Sequence, residues 1–138
     1  MKLKYNLSEK VNERLNELSA NKIYYAVPYD IDDDGQLIKD GMCVVTDKNI
    51  CVFKGDECIR TYTVSDCSNT VSEVGVGVGM LVTQLDGRQQ RILRYSSKHR
   101  TRFAYIARGI NILSSGCGRY ETLQFLQGIR RIRCHPLG

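Results

Sequence analysis

Seven short runs rich in apolar, β-branched and aromatic residues follow one another between Ile23 and Tyr95: residues 23–29, 42–46, 50–53, 58–64, 70–74, 80–85 and 91–95. Each is too short for a helix with a buried stripe and the right length for a strand. The breaks between them are turn-forming. Asp30-Ile31-Asp32-Asp33-Asp34-Gly35 ends the first run, Gly55-Asp56-Glu57 the third, and Asp86-Gly87-Arg88 joins the sixth to the seventh. Asp-Gly is a strong hairpin signal because both residues tolerate the positive φ of a tight turn. Asp47-Lys48-Asn49 joins the second run to the third, with Asn49 available for a left-handed conformation. The pattern predicts one meander of short antiparallel strands.

Helical periodicity frames the meander. Over residues 6–20, Val11, Leu15 and Leu18 form a narrow apolar stripe, with Ser8 suited to the N-cap and Glu9 to the first turn. Over residues 96–115, Phe103, Ile106, Ile110 and Leu113 recur at spacings of three, four and three, and Gly116 stops the helix. A helix after the last strand can plug the open end of a small curled sheet. The expected class is therefore α+β, mostly β: an antiparallel barrel of about seven strands capped by a C-terminal helix, with a short helix in front. The chain of 138 residues divides into that helix (1–20), the barrel domain (21–116) and a basic tail with no assigned structure (117–138).

Charge is unevenly distributed along this order. Residues 1–87 carry 9 Lys/Arg against 14 Asp/Glu, whereas residues 88–138 carry 11 against one. A basic face of that kind suits an acidic partner, a lipid headgroup or a nucleic acid. The N-terminus lacks the apolar core of a signal peptide and no stretch approaches a membrane span, so a cytoplasmic location is expected, with access to the inner face of the membrane. Cysteine usage agrees. Cys43, Cys51, Cys58, Cys67, Cys117 and Cys134 form no C-x-x-C pair, and four sit in apolar, strand-like runs where a free thiol behaves as a small hydrophobe. A disulfide framework is the alternative, but an even count alone argues weakly for it.

The wording of one hairpin carries a resemblance. Asp40-Gly41-Met42-Cys43-Val44-Val45-Thr46-Asp47-Lys48-Asn49-Ile50-Cys51-Val52-Phe53-Lys54-Gly55 resembles the second-to-third strand hairpin of bacterial pleckstrin-homology-like domains, and the segment from Phe103 to Leu113 resembles their closing helix. More narrowly, residues 22–116 are similar to the soluble N-terminal module of certain bacterial ABC exporters, which precedes a membrane domain and an ATPase. The resemblance implies a non-catalytic regulatory module that docks a protein partner, the rest of an exporter or a membrane-proximal surface. No G-x-x-x-x-G-K-[ST] is present, and the chain from Cys117 onward departs from the family pattern.

Asp30, Asp32, Asp34 and Gly35 match positions one, three, five and six of a calcium loop, but position twelve is Gly41 where a Glu should be. A solvated hairpin turn is the preferred reading, and its carboxylates would repel phosphates where lipid-binding relatives place Lys and Arg. Gly75, Gly77 and Gly79 suggest a dinucleotide loop, yet its third glycine falls on Met80 and a strand follows. Alternation would instead put Val74, Val76, Val78 and Met80 on one strand face and the glycines on the other, making Gly75, Gly77 and Gly79 a candidate strand-docking edge. His99 sits among Lys98 and Arg100, which would hold it neutral without orienting it as a base. Cys117, Cys134 and His135 fit no common zinc spacing. No metal, cofactor or catalytic residue is therefore expected.

Arg88, Arg91, Arg94, Lys98, Arg100 and Arg102 form the candidate anion- or lipid-binding cluster. Strand alternation puts Arg91 opposite Arg94, so a single flat patch is not expected. Residues 122–133 read as a basic amphipathic helix able to lie on an anionic membrane or a nucleic acid. Without an aromatic ladder or a known motif, nucleic acid is the weaker partner.

Overall fold

The computed structural model describes residues 7–115, and all seven expected runs are strands. They are β1 (Ile23–Ile31), β2 (Leu37–Thr46), β3 (Asn49–Lys54), β4 (Glu57–Thr63), β5 (Ser68–Val74), β6 (Val78–Leu85) and β7 (Arg88–Ser96). Helix α1 (Glu9–Glu17) precedes them and α2 (Arg100–Ser115) follows. The stop at Gly116, the residue 122–133 helix and Cys117, Cys134 and His135 lie outside the described residues.

Local chemistry accounts for the element ends. Ser8 caps α1, its Oγ accepting from the Val11 N–H at 3.2 Å. Asp86 and Gly87 both take positive φ in the β6–β7 turn, as Asp-Gly predicts. The β2–β3 turn differs from expectation. Asn49 is the first residue of β3 and is not left-handed; the Thr46 hydroxyl closes the turn by accepting from the N–H groups of Lys48 and Asn49 at 3.1 and 3.0 Å.

The strands form one open antiparallel sheet in the order β4-β3-β2-β1-β7-β6-β5. Its outer strands, β4 and β5, do not pair with each other. The sheet nevertheless folds over on itself. Lying flat, β4 and β7 would be four strand spacings apart, roughly 19 Å, yet Arg60 of β4 donates to the carbonyl of Ile92 in β7 at 2.7 Å. The main core fills the resulting fold, with Tyr25 and Tyr29 of β1, Val45, Ile50 and Val52 of β2 and β3, and Leu81, Ile92, Leu93 and Tyr95 of β6 and β7. Phe103, Ile106, Ala107 and Ile110 of α2 seal it, each essentially inaccessible. Burying side chains of this size stabilises the fold by about 2 kcal/mol apiece. Helix α1 covers the opposite face of β1–β3, where Val11 and Leu15 meet Ala26, Val44, Cys51 and Phe53.

Three tyrosines lie across glycines. Tyr29 pairs with Gly41 and Tyr95 with Gly79 across neighbouring strands, and Tyr25 lies against Gly109 in the middle of α2. A Cβ at Gly79 would overlap the Tyr95 ring, and one at Gly109 would overlap the Tyr25 hydroxyl. Glycine at these positions lets an aromatic ring cover backbone that a side chain would push away.

The thiols follow the sequence reading where they are described. Cys43, Cys51 and Cys67 are buried and free, and Cys58 is free and half-buried. Burial pushes the Cys43 and Cys51 thiols up to about 12.

Candidate functional site

The six-residue basic cluster divides into three groups. Arg88 stands at the β6–β7 turn, one end of β7, while Lys98, Arg100 and Arg102 stand beyond the other end. Nine residues of extended strand separate those ends by roughly 26 Å. Arg91 and Arg94 lie between them, and here the sequence reading needs correction. Arg91 is paired with Val82 and Arg94 with Met80, two residues apart on β6, so both arginines share one face. The cause is a bulge: Ile92 is the extra residue between the Leu81–Leu93 and Val82–Arg91 pairs, and it turns into the core beside Leu93.

Arg91 and Arg94 face the acidic turn between β1 and β2. Asp33 receives Arg60 Nη1 at 2.5 Å and stands 3.9 Å from Arg91 Nη2. The Arg94 guanidinium reaches Gly35, where a Cβ would lie 3.4 Å from Nη1. Asp32 organises the turn itself, accepting from the N–H groups of Asp34 and Gln36, both at 2.9 Å. The acidic turn is solvated, as expected, and its Asp33 also bridges Arg60 of β4 and, at 3.9 Å, Arg91 of β7.

Asp30 makes the tightest of these fastenings. Strand β1 meets β7 through the pair Ile31–Arg94, and next to it Asp30 Oδ1 accepts the Ser96 N–H at 2.7 Å while Oδ2 accepts the Ser96 hydroxyl at 2.6 Å. His99 Nε2 lies 3.6 Å from the same Oδ2. Burial raises the Asp30 carboxyl, but the two Ser96 bonds and the nearby His99 and Lys98 outweigh it and hold the group below the ordinary carboxylate range. Burial is the main reason that His99 falls below the ordinary imidazole range; Asp30 opposes that shift, and Arg102 and Lys98 add to it. Flanking cations, the cause expected from the sequence, are thus secondary to burial. Ser96 donates its hydroxyl to the carboxylate rather than to the imidazole, so these three residues do not form a nucleophile–base pair.

The candidate docking edge is also placed differently. Gly75 and Gly77 belong to the turn between β5 and β6, with Gly77 at φ +77° and the Gly75 N–H donating to the Val78 carbonyl at 2.7 Å. Gly79 lies in β6, an inner strand, under the Tyr95 ring. The alternation is broken by a turn, because positive φ at Gly77 reverses the chain. The sheet edges are β4 and β5, and at Thr70 the β5 edge is occupied: Asn111 of α2 accepts the Thr70 N–H and donates to the Thr70 carbonyl, both at 2.8 Å.

What the turn exposes is apolar. Val76 is fully exposed at the tip, and Val74 and Val78 on its two arms are 48% and 40% exposed. Because Val78 pairs with Ser96, the tip lies at the end of the sheet where the chain runs on into Lys98, Arg100 and Arg102, all exposed. Tyr95 links the two parts. Its hydroxyl is hydrogen-bonded to Ser72 of β5, and Arg100 is close enough to oppose the upward shift that burial imposes on it. One end of the molecule therefore carries three exposed valines beside three exposed cations. Sequence reading found the cations but missed the exposed valine tip, for which the turn-permissive wording Gly75-Val76-Gly77 was the available signal.

Among the described residues no helix is long and apolar enough to cross a membrane. Compared with protein-family models, curated proteins and solved structures, the chain matches none of them.

Proposed function

We propose that this chain is a non-catalytic docking module that engages a membrane-proximal surface through the end formed by the β5–β6 tip and the start of α2. The observation that carries this reading is the exposure of Val74, Val76 and Val78 beside Lys98, Arg100 and Arg102. Apolar side chains at the point of a hairpin add nothing to the core, and cations around them favour an acidic contact. The best-placed polar groups elsewhere are engaged in holding the two halves of the sheet together, which supports a binding role over a catalytic one.

Seven antiparallel strands followed by a sealing helix support the pleckstrin-homology-like reading, with the difference that the sheet is open between β4 and β5. The exporter resemblance supplies a setting in which such a unit works beside a membrane, regulating the transporter that carries it. A photo-crosslinker placed at position 76 in host cells is expected to give a defined adduct, lipid or protein, while one at position 86, on the opposite turn, gives none. Equal labelling from both positions would contradict the assignment.

A further inference from the structure

The valine tip and the cations next to it also indicate what they touch. We infer that the partner is the surface of an anionic lipid bilayer, with Val76 inserted below the headgroups and Lys98, Arg100 and Arg102 lying among them; this rests on the docking reading above. The shape of the site favours lipid over protein. A stable protein interface buries roughly 800 Å² on each side, and three valines on a convex turn offer far less. A bilayer needs no matching surface. Shallow insertion of a few apolar groups gains burial in the acyl region, and adjacent cations gain from anionic headgroups.

The charges around the tip agree. Lys98, Arg100 and Arg102 are exposed, three cations against one exposed carboxylate, Glu73 of β5, which accepts from the neutral Gln89 at 3.1 Å, while Asp30 of β1 is part-buried against Ser96 and His99. Among the described residues nothing covers Val76. Arg91 and Arg94, which face the acidic turn, and the distant Arg88 are not part of this surface.

The absence of tryptophan from the chain makes a direct test possible. The full chain carrying Val76→Trp is mixed with vesicles of phosphatidylcholine alone or of phosphatidylcholine with phosphatidylglycerol. Its emission is expected to shift to the blue, and the chain to pellet, with the anionic vesicles only. Adding Lys98→Glu, Arg100→Glu and Arg102→Glu is expected to lower partitioning by roughly 100-fold, since each surface cation contributes about fivefold. Arg88→Glu, at the far turn, is expected to leave partitioning unchanged. All these side chains are exposed, and pelleting of the unsubstituted chain, which should fall as salt rises, gives a measure free of any folding defect. No blue shift and no pelleting at low salt would overturn the lipid assignment, as would an undiminished triple variant. If vesicles fail while position 76 still crosslinks a defined protein in host cells, the lipid inference falls and the docking reading stands; if both fail, both fall.

Discussion

Asp30 shows how far a single residue's role can lie from what its sequence neighbourhood suggests. Within Asp30-Ile31-Asp32-Asp33-Asp34-Gly35 it reads as the first ligand of a metal loop or as one more solvated carboxylate. In the fold it is 14% exposed at its side chain and receives both polar hydrogens of Ser96, 66 positions away. Nothing local in the sequence encodes a partner at that distance. Because its carboxyl is held below the ordinary range, its stabilisation is present above about pH 4 and is lost as pH falls through the folded-state value. Asp30→Asn is therefore expected to cost about 2 kcal/mol at pH 7, a deficit that shrinks toward zero in acid. Urea denaturation at neutral pH and near pH 3 would check this, and an equal deficit at both would contradict it.

At the scale of elements, strand and helix identities were legible and their irregularities were not. Periodicity located all seven strands, and the stripe Phe103, Ile106, Ile110 identified the sealing face of α2. The Ile92 bulge was invisible because it depends on β6 supplying one residue fewer than β7 between two pairs. It reverses the side of every residue beyond it, and so places Arg91 and Arg94 together. Asn111 was equally silent, a polar residue one position past the apolar stripe whose target is an edge backbone on β5. Covering an edge in this way satisfies its polar groups and removes a template for pairing with another chain. Replacing Asn111 with Ala is expected to destabilise the fold by about 2 kcal/mol through two lost bonds to a part-buried backbone, and to promote concentration-dependent association. Thermal unfolding together with light scattering would show both effects, and an unchanged midpoint would mean that Asn111 does not hold this edge.

For the molecule as a whole, the division of charge along the chain turned out to be the most informative bulk property. The acidic first part and the basic last part meet where Asp30 accepts from Ser96 of β7 and Asp33 stands 3.9 Å from Arg91. Lys98, Arg100 and Arg102 stay exposed together at one end. Counting charges revealed the polarity, but only the antiparallel register of β6 and β7 brings Val76 beside Lys98 and Arg100 while sending Arg88 to the far end. Amide hydrogen exchange of the full chain, free and bound to anionic vesicles, tests this end assignment most directly. Slowed exchange confined to residues 74–78 and 97–102, with residues 86–88 unchanged, is the predicted result. Protection centred on residues 86–88, or spread evenly over the sheet, would contradict it.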